Sequence, residues 1–427
     1  MKGHKMATYD KNLITCVEFG THSVRTLHGI CDKAGNPVVL GVGQEPSEGC
    51  VCKGEVIDPQ QAATILGKAL ADADKSAGIV NDRRRVYCIV NGSGVVSRQG
   101  EGQVFIYSDD HKIHQTHILE AVNKAQNIAL PPDQVLLGSF DSYFLLDSQT
   151  CTSNPEGTAA TRLDAFLHIL SMNRKPMEVI RSILREQGFE DQIEFVFSPV
   201  AAAYGTLEEK EKNDGVLLID MGAGVTSYIV IRRDGILSSG VLPVGTDNIA
   251  NDLSIGLDLG IDQCRKMLID PKLAARIKSG EPYIEAGGPV SGTKRKIPVG
   301  SYERIIELRL QEIFSILRER LDPRTRTPQL ESGIVFCGGG AMMPTARKNL
   351  EEIMRMPVRQ GIPIGFSGAM TDLENSVRYA ALLGLLKYVT LVETDRNKSG
   401  MKIGDVFEDL GENLFQKVKD LTKVFRI

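Results

Sequence analysis

A short hairpin built around a glycine turn is the feature of this sequence that most constrains its fold. Within residues 215–231, an apolar run from Val216 to Ile219 ends at Asp220. The small residues Gly-Ala-Gly, 222–224, follow, and a second β-rich run extends to Ile231. Such a turn lets backbone N–H groups approach an anion, because no side chain blocks the way. A carboxylate beside it can hold a hydrated Mg²⁺. The stretch alone fits equally well an ordinary hairpin with a capping Asp.

The same design occurs near the start of the chain. In residues 13–25 an apolar strand is followed by Glu18, by Gly20 and Thr21, and by a second strand through Val24. Two such hairpins in different halves of the sequence predict a duplicated fold that clasps a phosphate between its halves.

A third glycine turn completes the set. Residues 333–344 comprise an apolar strand, three consecutive glycines and a helix expected to open near Pro344. Each motif is weak on its own, whereas three in this order are a strong signal.

The order of these motifs resembles the actin/Hsp70/sugar-kinase ATPase superfamily and, within it, the FtsA family of bacterial cell-division proteins. The resemblance extends from about residue 14 to 427, and two further stretches carry it, since 197–204 resembles the first connecting helix and 376–386 the second. It implies an α/β, actin-like ATPase fold: two duplicated RNase H-like halves, a nucleotide cleft between them and two inserted subdomains.

The resemblance and the predicted elements divide the chain into eight segments. These are subdomain 1A in two parts (1–90 and 169–206), the inserted subdomain 1C (91–168), subdomain 2A in two parts (207–250 and 331–392), subdomain 2B (251–330), a polar linker (393–410) and an amphipathic helix (411–427).

The resemblance implies that ATP and Mg²⁺ bind in the cleft. The residues predicted to bind the nucleotide are Gly20, Thr21, His22, Gly222, Ala223, Gly224, Thr226, Gln263, Lys266, Gly338, Gly339, Gly340 and Met342. Asp220 is expected to hold Mg²⁺ through water.

Departures from the family motifs bear on hydrolysis. Glu18 replaces the usual Asp of the first turn, Ala223 the middle glycine of the second, and Gln263 the usual Glu beside the base. Some superfamily members align water with an acid or Gln near the position of Ser198, and Ser is a poor general base without a partner. Glu18 and Asp220 remain the candidate catalytic residues. We therefore expect weak or absent ATPase activity, with ATP acting as an assembly switch.

The resemblance also implies partners. In this family subdomain 2B receives the acidic and apolar C-terminal tail of FtsZ, and Arg295 and Arg309 lie where basic contacts are expected. Arginine suits carboxylate capture, although charge in the basic loop 292–298 fits plain surface as well. Subdomain 1C is expected to contact other molecules of the chain and other division proteins.

The last residues form an amphipathic pattern. Leu414, Val418, Leu421 and Phe425 share one helical face, and basic residues occupy the other sides. Such a helix is typical of a peptide lying on an anionic membrane, and docking onto the body or a partner is the alternative. The residues predicted to bind membrane are Leu414, Phe415, Lys417, Val418, Leu421, Lys423, Val424 and Phe425.

Composition and charge bear on nucleic-acid binding, membrane insertion and metal binding. A net charge of −4 gives no bulk signal for nucleic acid. No apolar run is long enough to span a membrane, and the N-terminus lacks an apolar signal core, so we expect a cytoplasmic protein. The resemblance implies that it lies peripherally on the inner face of the membrane at the division site. The scattered cysteines do not predict a metal site.

Other functions of the same superfamily compete with this assignment. A sugar or acetate kinase of the same superfamily would need a catalytic Asp in a substrate cleft, and the sequence shows no such motif. The second is a pilus-assembly protein of the PilM family, which shares the fold and the inserted subdomain. The amphipathic tail favours the FtsA family over it.

Overall fold

The computed structural model describes residues 13–79, 85–108, 110–190, 192–233, 235–287, 294–321, 330–369 and 376–399. The predicted membrane-binding residues within 411–427 lie outside this part of the chain.

The described chain contains both strands and helices. The strands are β1 Ile14–Phe19, β2 Ser23–Cys31, β3 Pro37–Pro46, β4 Val51–Cys52, β5 Glu55–Val56, β6 Arg85–Val90, β7 Val95–Phe105, β8 Gln134–Leu146, β9 Thr150–Thr152, β10 Arg162–Asn173, β11 Gln192–Phe197, β12 Val216–Met221, β13 Thr226–Arg232, β14 Gly235–Leu242, β15 Tyr283–Gly287, β16 Lys294–Pro298, β17 Ile334–Cys337, β18 Val358–Gln360 and β19 Ser367–Gly368. The helices are α1 Pro59–Ala77, α2 Gln115–Gln126, α3 Arg174–Glu186, α4 Ser198–Thr206, α5 Glu209–Asp214, α6 Thr246–Leu257, α7 Ile261–Leu268, α8 Pro271–Lys278, α9 Val299–Arg320, α10 Ala346–Met354 and α11 Ala380–Ser399, with 3₁₀ turns at Gly339–Met342 and Ser376–Tyr379.

The first half is built on a six-stranded sheet in the order β11-β6-β1-β2-β3-β19. Strands β1 and β2 form the first hairpin and pair antiparallel, whereas β1 and β6 run parallel. Helix α1 covers the sheet. Asp58 followed by Pro59 in the sequence predicts a helix from Pro59 to about Ala77, and α1 has these bounds because its ends carry strong caps. The Asp58 side chain accepts the Gln61 N–H, Pro59 occupies the first turn, and Gly78 ends the helix in a left-handed conformation.

The second half repeats this arrangement in a five-stranded sheet in the order β14-β13-β12-β17-β18. Strands β12 and β13 form the second hairpin and pair antiparallel, and β17 runs parallel to β12 as β6 does to β1. The predicted duplication of an α/β unit is therefore confirmed.

Helices α4 and α11 pack against each other where the two halves meet. Their contact runs through Gly205 and Gly384, and a Cβ atom on Gly384 would overlap the carbonyl oxygen of Ala201. Close packing thus explains the small-residue face that the sequence shows from Ala380 to Gly384. Helix α11 continues to Ser399, so the prediction of an irregular linker from residue 393 is wrong over 393–399.

Subdomain 1C is a four-stranded sheet, β7-β10-β8-β9, covered by α2 around its own core. The sequence predicted two strands, 134–138 and 142–146, where the structure has the single strand β8. The pairing of β8 with β10 shifts register at two points, and these irregularities let β8 continue without a break across residues 139–141. The helix predicted from residue 110 begins at Gln115.

Subdomain 2B contains the end of α6, which begins at Thr246 before the expected boundary at 251, together with α7 to α9 and the hairpin β15–β16. Part of the basic loop predicted at 292–298 is strand β16, paired antiparallel with β15. Helix α9 was predicted from Arg304 and begins at Val299. No helix in the described ranges is long and apolar enough to cross a membrane.

Candidate functional site

The two glycine turns face each other across a cleft between the halves. The cleft is lined by most of the residues predicted for it: Gly20, Thr21, His22, Gly222, Ala223, Gly224, Gly338, Gly339 and Met342, together with Glu18, Ser198 and Asp220. The structure therefore brings three sequence-distant motifs into one site.

The two turns have the same backbone geometry. The Gly20 N–H donates to the Ser23 carbonyl at 3.0 Å, and the Gly222 N–H donates to the Val225 carbonyl at 2.8 Å. The turns also touch, since a Cβ atom on Gly224 would overlap the Thr21 hydroxyl and crowd the backbone of Lys53. Glycine is required at this point because the halves approach so closely.

The third turn closes the cleft from the side of β17. Gly338 has φ +82, a left-handed conformation that favours glycine, and a Cβ atom there would overlap the carboxylate of Asp220. Gly339 differs, because a Cβ atom there would have no neighbour within 4 Å. Its backbone therefore faces open space on the cleft.

Two carboxylates lie at equivalent strand ends in the two halves. Asp220 on β12 accepts a hydrogen bond of 2.7 Å from the Ser198 hydroxyl. Burial raises the pKa of Asp220 to about 6, and the nearby charge of Glu18 acts in the same direction. No sequence signal paired Ser198 with Asp220, whereas the structure joins the two by this hydrogen bond.

The cleft holds three guanidinium groups that the sequence reasoning missed, those of Arg25, Arg265 and Arg378. Arg25 donates to Glu18 at 3.1 Å and to the backbone carbonyl of Arg378 at 2.9 Å. Burial lowers the pKa of Arg378, and the neighbouring charge of Arg25 adds to this effect. The spacing of Glu18 and Arg25 was the available signal, since the two residues face each other across the first hairpin.

The wall formed by α7 differs from expectation. Arg265 and Leu268 line the cleft, whereas the predicted Gln263 and Lys266 do not. Gln263, with its amide oriented for hydrogen bonding, pairs with the backbone N–H and carbonyl of Gly287. Lys266 lies on an exposed part of the helix.

Two further predicted residues also lie off the cleft. The Thr226 hydroxyl is buried and donates to the Val244 carbonyl at 2.8 Å. Gly340 is buried against the side chain of Met221. Both residues therefore pack beneath the glycine turns and do not face the cleft.

A second cavity of about 410 Å³ adjoins the cleft and shares Leu268 with it. Its walls come from α7, α8, α9 and the segment after the third glycine turn, and are mainly apolar. They include Met267, Leu273, Tyr302, Ile306 and Met343.

The donor set of the cleft suits a magnesium ion bound through water. In the described ranges, no cluster of three or more His, Cys, Asp or Glu side chains is placed to enclose a metal. Mg²⁺ does not need such a cage, because it keeps several waters and binds through one or two carboxylates and its substrate phosphates. Glu18 and Asp220 supply two carboxylates at one edge of the cleft.

The duplicated halves, the paired turns and the cleft between them define an actin-like fold. Solved structures share it: the PilM-PilN type IV pilus biogenesis complex has a TM-score of 0.58 at 16% identity, over 87% of this chain and 97% of that one. MreB5 of Spiroplasma citri bound to AMPPNP has a TM-score of 0.55 at 12% identity, over 92% and 100%.

Sequence comparisons place the chain more narrowly. The family model for cell division protein FtsA matches residues 217–384, and that for the SHS2 domain inserted in FtsA matches 92–171. The cell division protein FtsA of Pseudomonas aeruginosa is 27% identical over 384 residues, 90% of each chain. That of Neisseria meningitidis is 29% identical over 377 residues, 87% of this chain and 89% of its own. The chain belongs to the FtsA family of cell-division proteins.

Proposed function

We propose that this protein binds Mg-ATP, polymerises on the inner face of the cytoplasmic membrane at the division site and tethers the FtsZ ring there through its C-terminal amphipathic helix. The observation that carries the proposal is the meeting of two equivalent glycine turns across one cleft, each beside a carboxylate. Family membership supports the role in division.

The cleft suits a nucleotide in one orientation. The phosphates lie between the turns, where backbone N–H groups are accessible, and Mg²⁺ binds through water to Asp220. The apolar second cavity, reached past Leu268 and Met342, accepts the base. The related MreB5 structures are described as bound to AMPPNP and to ADP, which supports a nucleotide in a cleft of this fold. A ligand that contacts both halves stabilises the closed form.

Hydrolysis is slow in this account. Ser198 is 2% exposed and its hydroxyl donates to Asp220, so it does not hold an attacking water as a general base does. Glu18 is engaged by Arg25. ATP therefore acts as an assembly ligand more than as a substrate that is rapidly turned over.

A groove on subdomain 2B suits the tail of FtsZ. Its walls combine Arg295, Lys296 and Arg304 with the apolar Leu257 and Ile305. This mixture fits a segment that is both acidic and apolar. Arg309 is not among the residues that line the groove, and it is paired with Asp252 and Glu312. Arg295 lines the groove and is itself paired with Asp258. Arg295 therefore carries more of the proposed contact than Arg309 does.

The tail makes membrane binding depend on polymerisation. Each of the six large apolar residues of 411–427 contributes about 1.5–3 kcal/mol when fully buried. Ordering the backbone costs on the order of 1–2 kcal/mol per residue, and each basic residue adds about 1 kcal/mol near an anionic surface. One tail is thus marginal, and several tails on one filament bind firmly.

Subdomain 1C offers a surface for other division proteins or for a second copy of the chain. Phe105, Tyr107 and Leu136 are large apolar residues exposed on it. A pilus-assembly role like that of PilM is the second candidate, favoured by the shared fold. The FtsA family matches and the cationic tail favour the first.

Electron microscopy and co-sedimentation with anionic liposomes test the proposal. Full-length protein with Mg-ATP should form filaments on the liposomes and sediment with them. Leu421→Glu should release the protein while leaving ATP binding intact, and Lys33→Gln, far from the tail in sequence, serves as a control. Equal sedimentation of a chain truncated after residue 410 would contradict the tether.

A further inference from the structure

A small hairpin, residues 47–57, contacts both glycine turns of the cleft and is here called the strap. It contains strands β4 and β5, joined by the two-residue turn of Lys53 and Gly54. Both residues of this turn have positive φ, 49° and 79°, as a type I′ hairpin requires. The base of the strap is fixed in the core, because Cys50 is fully buried and its carbonyl accepts the Ile57 N–H at 2.8 Å.

The strap touches the first glycine turn at one end and the second turn at its tip. The Ser47 N–H donates to the His22 carbonyl at 3.1 Å, and the Ser47 hydroxyl donates to the Thr21 carbonyl. At the tip, a Cβ atom on Gly224 would lie 2.9 Å from the Cα and N atoms of Lys53. The backbone of Lys53 makes this contact, whereas its side chain is exposed. The strap therefore joins the two halves at the cleft.

The tip also packs on the turn from which subdomain 1C begins, residues 91–94, here called the 1C base. A Cβ atom on Gly54 would lie 3.0 Å from the carbonyl carbon and oxygen of Asn91. The Asn91 side chain donates to the Ser227 hydroxyl on β13 at 3.1 Å. Strand β7 of subdomain 1C then starts at Val95. The 1C base is thus held by the strap and by the second half together.

Subdomain 1C rests on the second half at a further point. The Ser97 hydroxyl on β7 donates to the Ser239 carbonyl on β14 at 3.1 Å. Nearby, a Cβ atom on Gly235 would overlap the Ser142 carbonyl oxygen on β8. Subdomain 1C is joined to the first half through the chain and contacts the second half at these residues. A change in the angle between the halves must therefore displace it against one of them.

We propose that the strap couples the nucleotide cleft to subdomain 1C. A nucleotide that fixes both glycine turns also fixes the strap, which touches both, and the strap then holds the 1C base in place. The inference rests on the proposed nucleotide site and adds to it a route by which occupancy of the cleft restrains subdomain 1C. Coupling between two sites is reciprocal, so a molecule that orders the 1C base strengthens nucleotide binding by the same factor.

Two substitutions of Lys53 separate the backbone of the strap from its charge. Proline cannot adopt the positive φ of this residue, so Lys53→Pro should displace the tip. Asparagine tolerates the conformation and removes the same charge, so Lys53→Asn is the matched control. Lys53→Pro should weaken a fluorescent ATP analogue about 5–150-fold, the usual range for coupling between sites. Lys53→Asn should bind the analogue as the wild type does.

Hydrogen exchange, measured by mass spectrometry on the full chain, follows the 1C base directly. Mg-ATP should slow exchange at 91–94 in the wild type and in Lys53→Asn, but not in Lys53→Pro. Ser47→Ala removes one hydrogen bond at the other end of the strap. It should act in the same direction more weakly, and it tests the coupling if Lys53→Pro does not fold. Thr64→Ala, which removes a hydroxyl bonded within α1, should behave as the wild type.

Two results would overturn the coupling. One is wild-type protein in which Mg-ATP slows exchange at the glycine turns and leaves the 1C base unchanged. The other is an equal loss of affinity in Lys53→Asn and Lys53→Pro, which would assign the effect to the lysine charge.

Failure of the nucleotide site itself is distinct, because the wild type would then bind no analogue. Exchange in the ligand-free proteins then decides whether the strap holds the 1C base. Faster exchange at 91–94 in Lys53→Pro than in Lys53→Asn supports the strap, and equal exchange overturns it.

Discussion

His22 and Asp247 join the two halves of the molecule across the mouth of the cleft. The His22 Nε2 atom lies 2.6 Å from Asp247 Oδ1. His22 belongs to the first glycine turn, and Asp247 to the first turn of α6 in the second half. Arg265 also donates to Asp247, at 3.0 and 3.1 Å, so one carboxylate connects the first half to α6 and α7.

We expect Asp247→Asn to weaken this connection. Burial alone raises the pKa of Asp247, but the hydrogen bonds from His22 and Arg265 outweigh it and hold the pKa below the ordinary value. Because the pKa of Asp247 is lower in the folded than in the unfolded protein, its charge stabilises the fold at pH values above the ordinary Asp pKa, near 4. This stabilisation is lost as the pH falls through the pKa of the folded protein.

Urea unfolding measures the effect. Asp247→Asn should lose about 1.5–3 kcal/mol of unfolding free energy at pH 7, the range for hydrogen bonds to charged groups. His22→Ala should lose less, because His22 is exposed. The wild type and Asp247→Asn should converge in acid. Equal stability at pH 7 would show that the bridge contributes nothing.

A buried histidine makes the contact between subdomain 1C and the second half sensitive to acid. His168 Nε2 on β10 shares a hydrogen bond of 2.8 Å with the Ser239 hydroxyl on β14. Burial lowers the pKa of His168 to about 4. Below pH 6.5 the unfolded chain therefore takes up a proton that the folded protein excludes, and stability falls between pH 6.5 and 4.

The predicted loss is about 2 kcal/mol between pH 7.5 and 5, at 1.36 kcal/mol per unit of pKa difference. His168→Gln should reduce this acid sensitivity in urea unfolding. His111→Asn is the matched control, because His111 is exposed in a left-handed conformation that Asn tolerates. The account of His168 is wrong if both variants follow the wild-type pH profile.

The groove on subdomain 2B predicts an order of effects on the FtsZ tail. Arg295→Ala should weaken a tail peptide several-fold, and more at low salt, where exposed charges are least screened. Arg309→Ala should have a smaller effect, since Arg309 does not line the groove. Arg276, paired with Glu281 outside the groove, provides the control Arg276→Ala. If calorimetry shows a larger loss of peptide affinity for Arg309→Ala than for Arg295→Ala, the tail does not bind in this groove.

Local sequence signals predicted the parts of this fold that short stretches determine. The start of α1 follows from Asp58 and Pro59, and the glycine turns follow from the absence of side chains. Features that depend on contacts between distant parts of the chain could not be predicted from local sequence. Arg265 replaces Gln263 and Lys266 at the cleft because the orientation of α7 depends on the packing of subdomain 2B, which no local pattern records.

The hydrogen-bond partners of the site residues could not be predicted either, because they also depend on long-range packing. Ser198 and Asp220 lie in different halves of the sequence, and their hydrogen bond exists only once β12 and α4 have packed. The polar stretch from residue 393 suggested a linker, yet α11 continues through it to Ser399. The polar composition of this stretch did not distinguish a helix from an irregular chain.

Binding of a fluorescent ATP analogue to wild-type protein and to Gly339→Leu tests the central claim most directly. A Cβ atom at Gly339 meets no atom within 4 Å, so the fold should tolerate the leucine while its side chain occupies the cleft. The melting temperature of the ligand-free variant should therefore remain close to that of the wild type. We predict that the wild type binds the analogue with Mg²⁺ and that Gly339→Leu does not. Equal binding by the two proteins would contradict the assignment of the cleft as the nucleotide site.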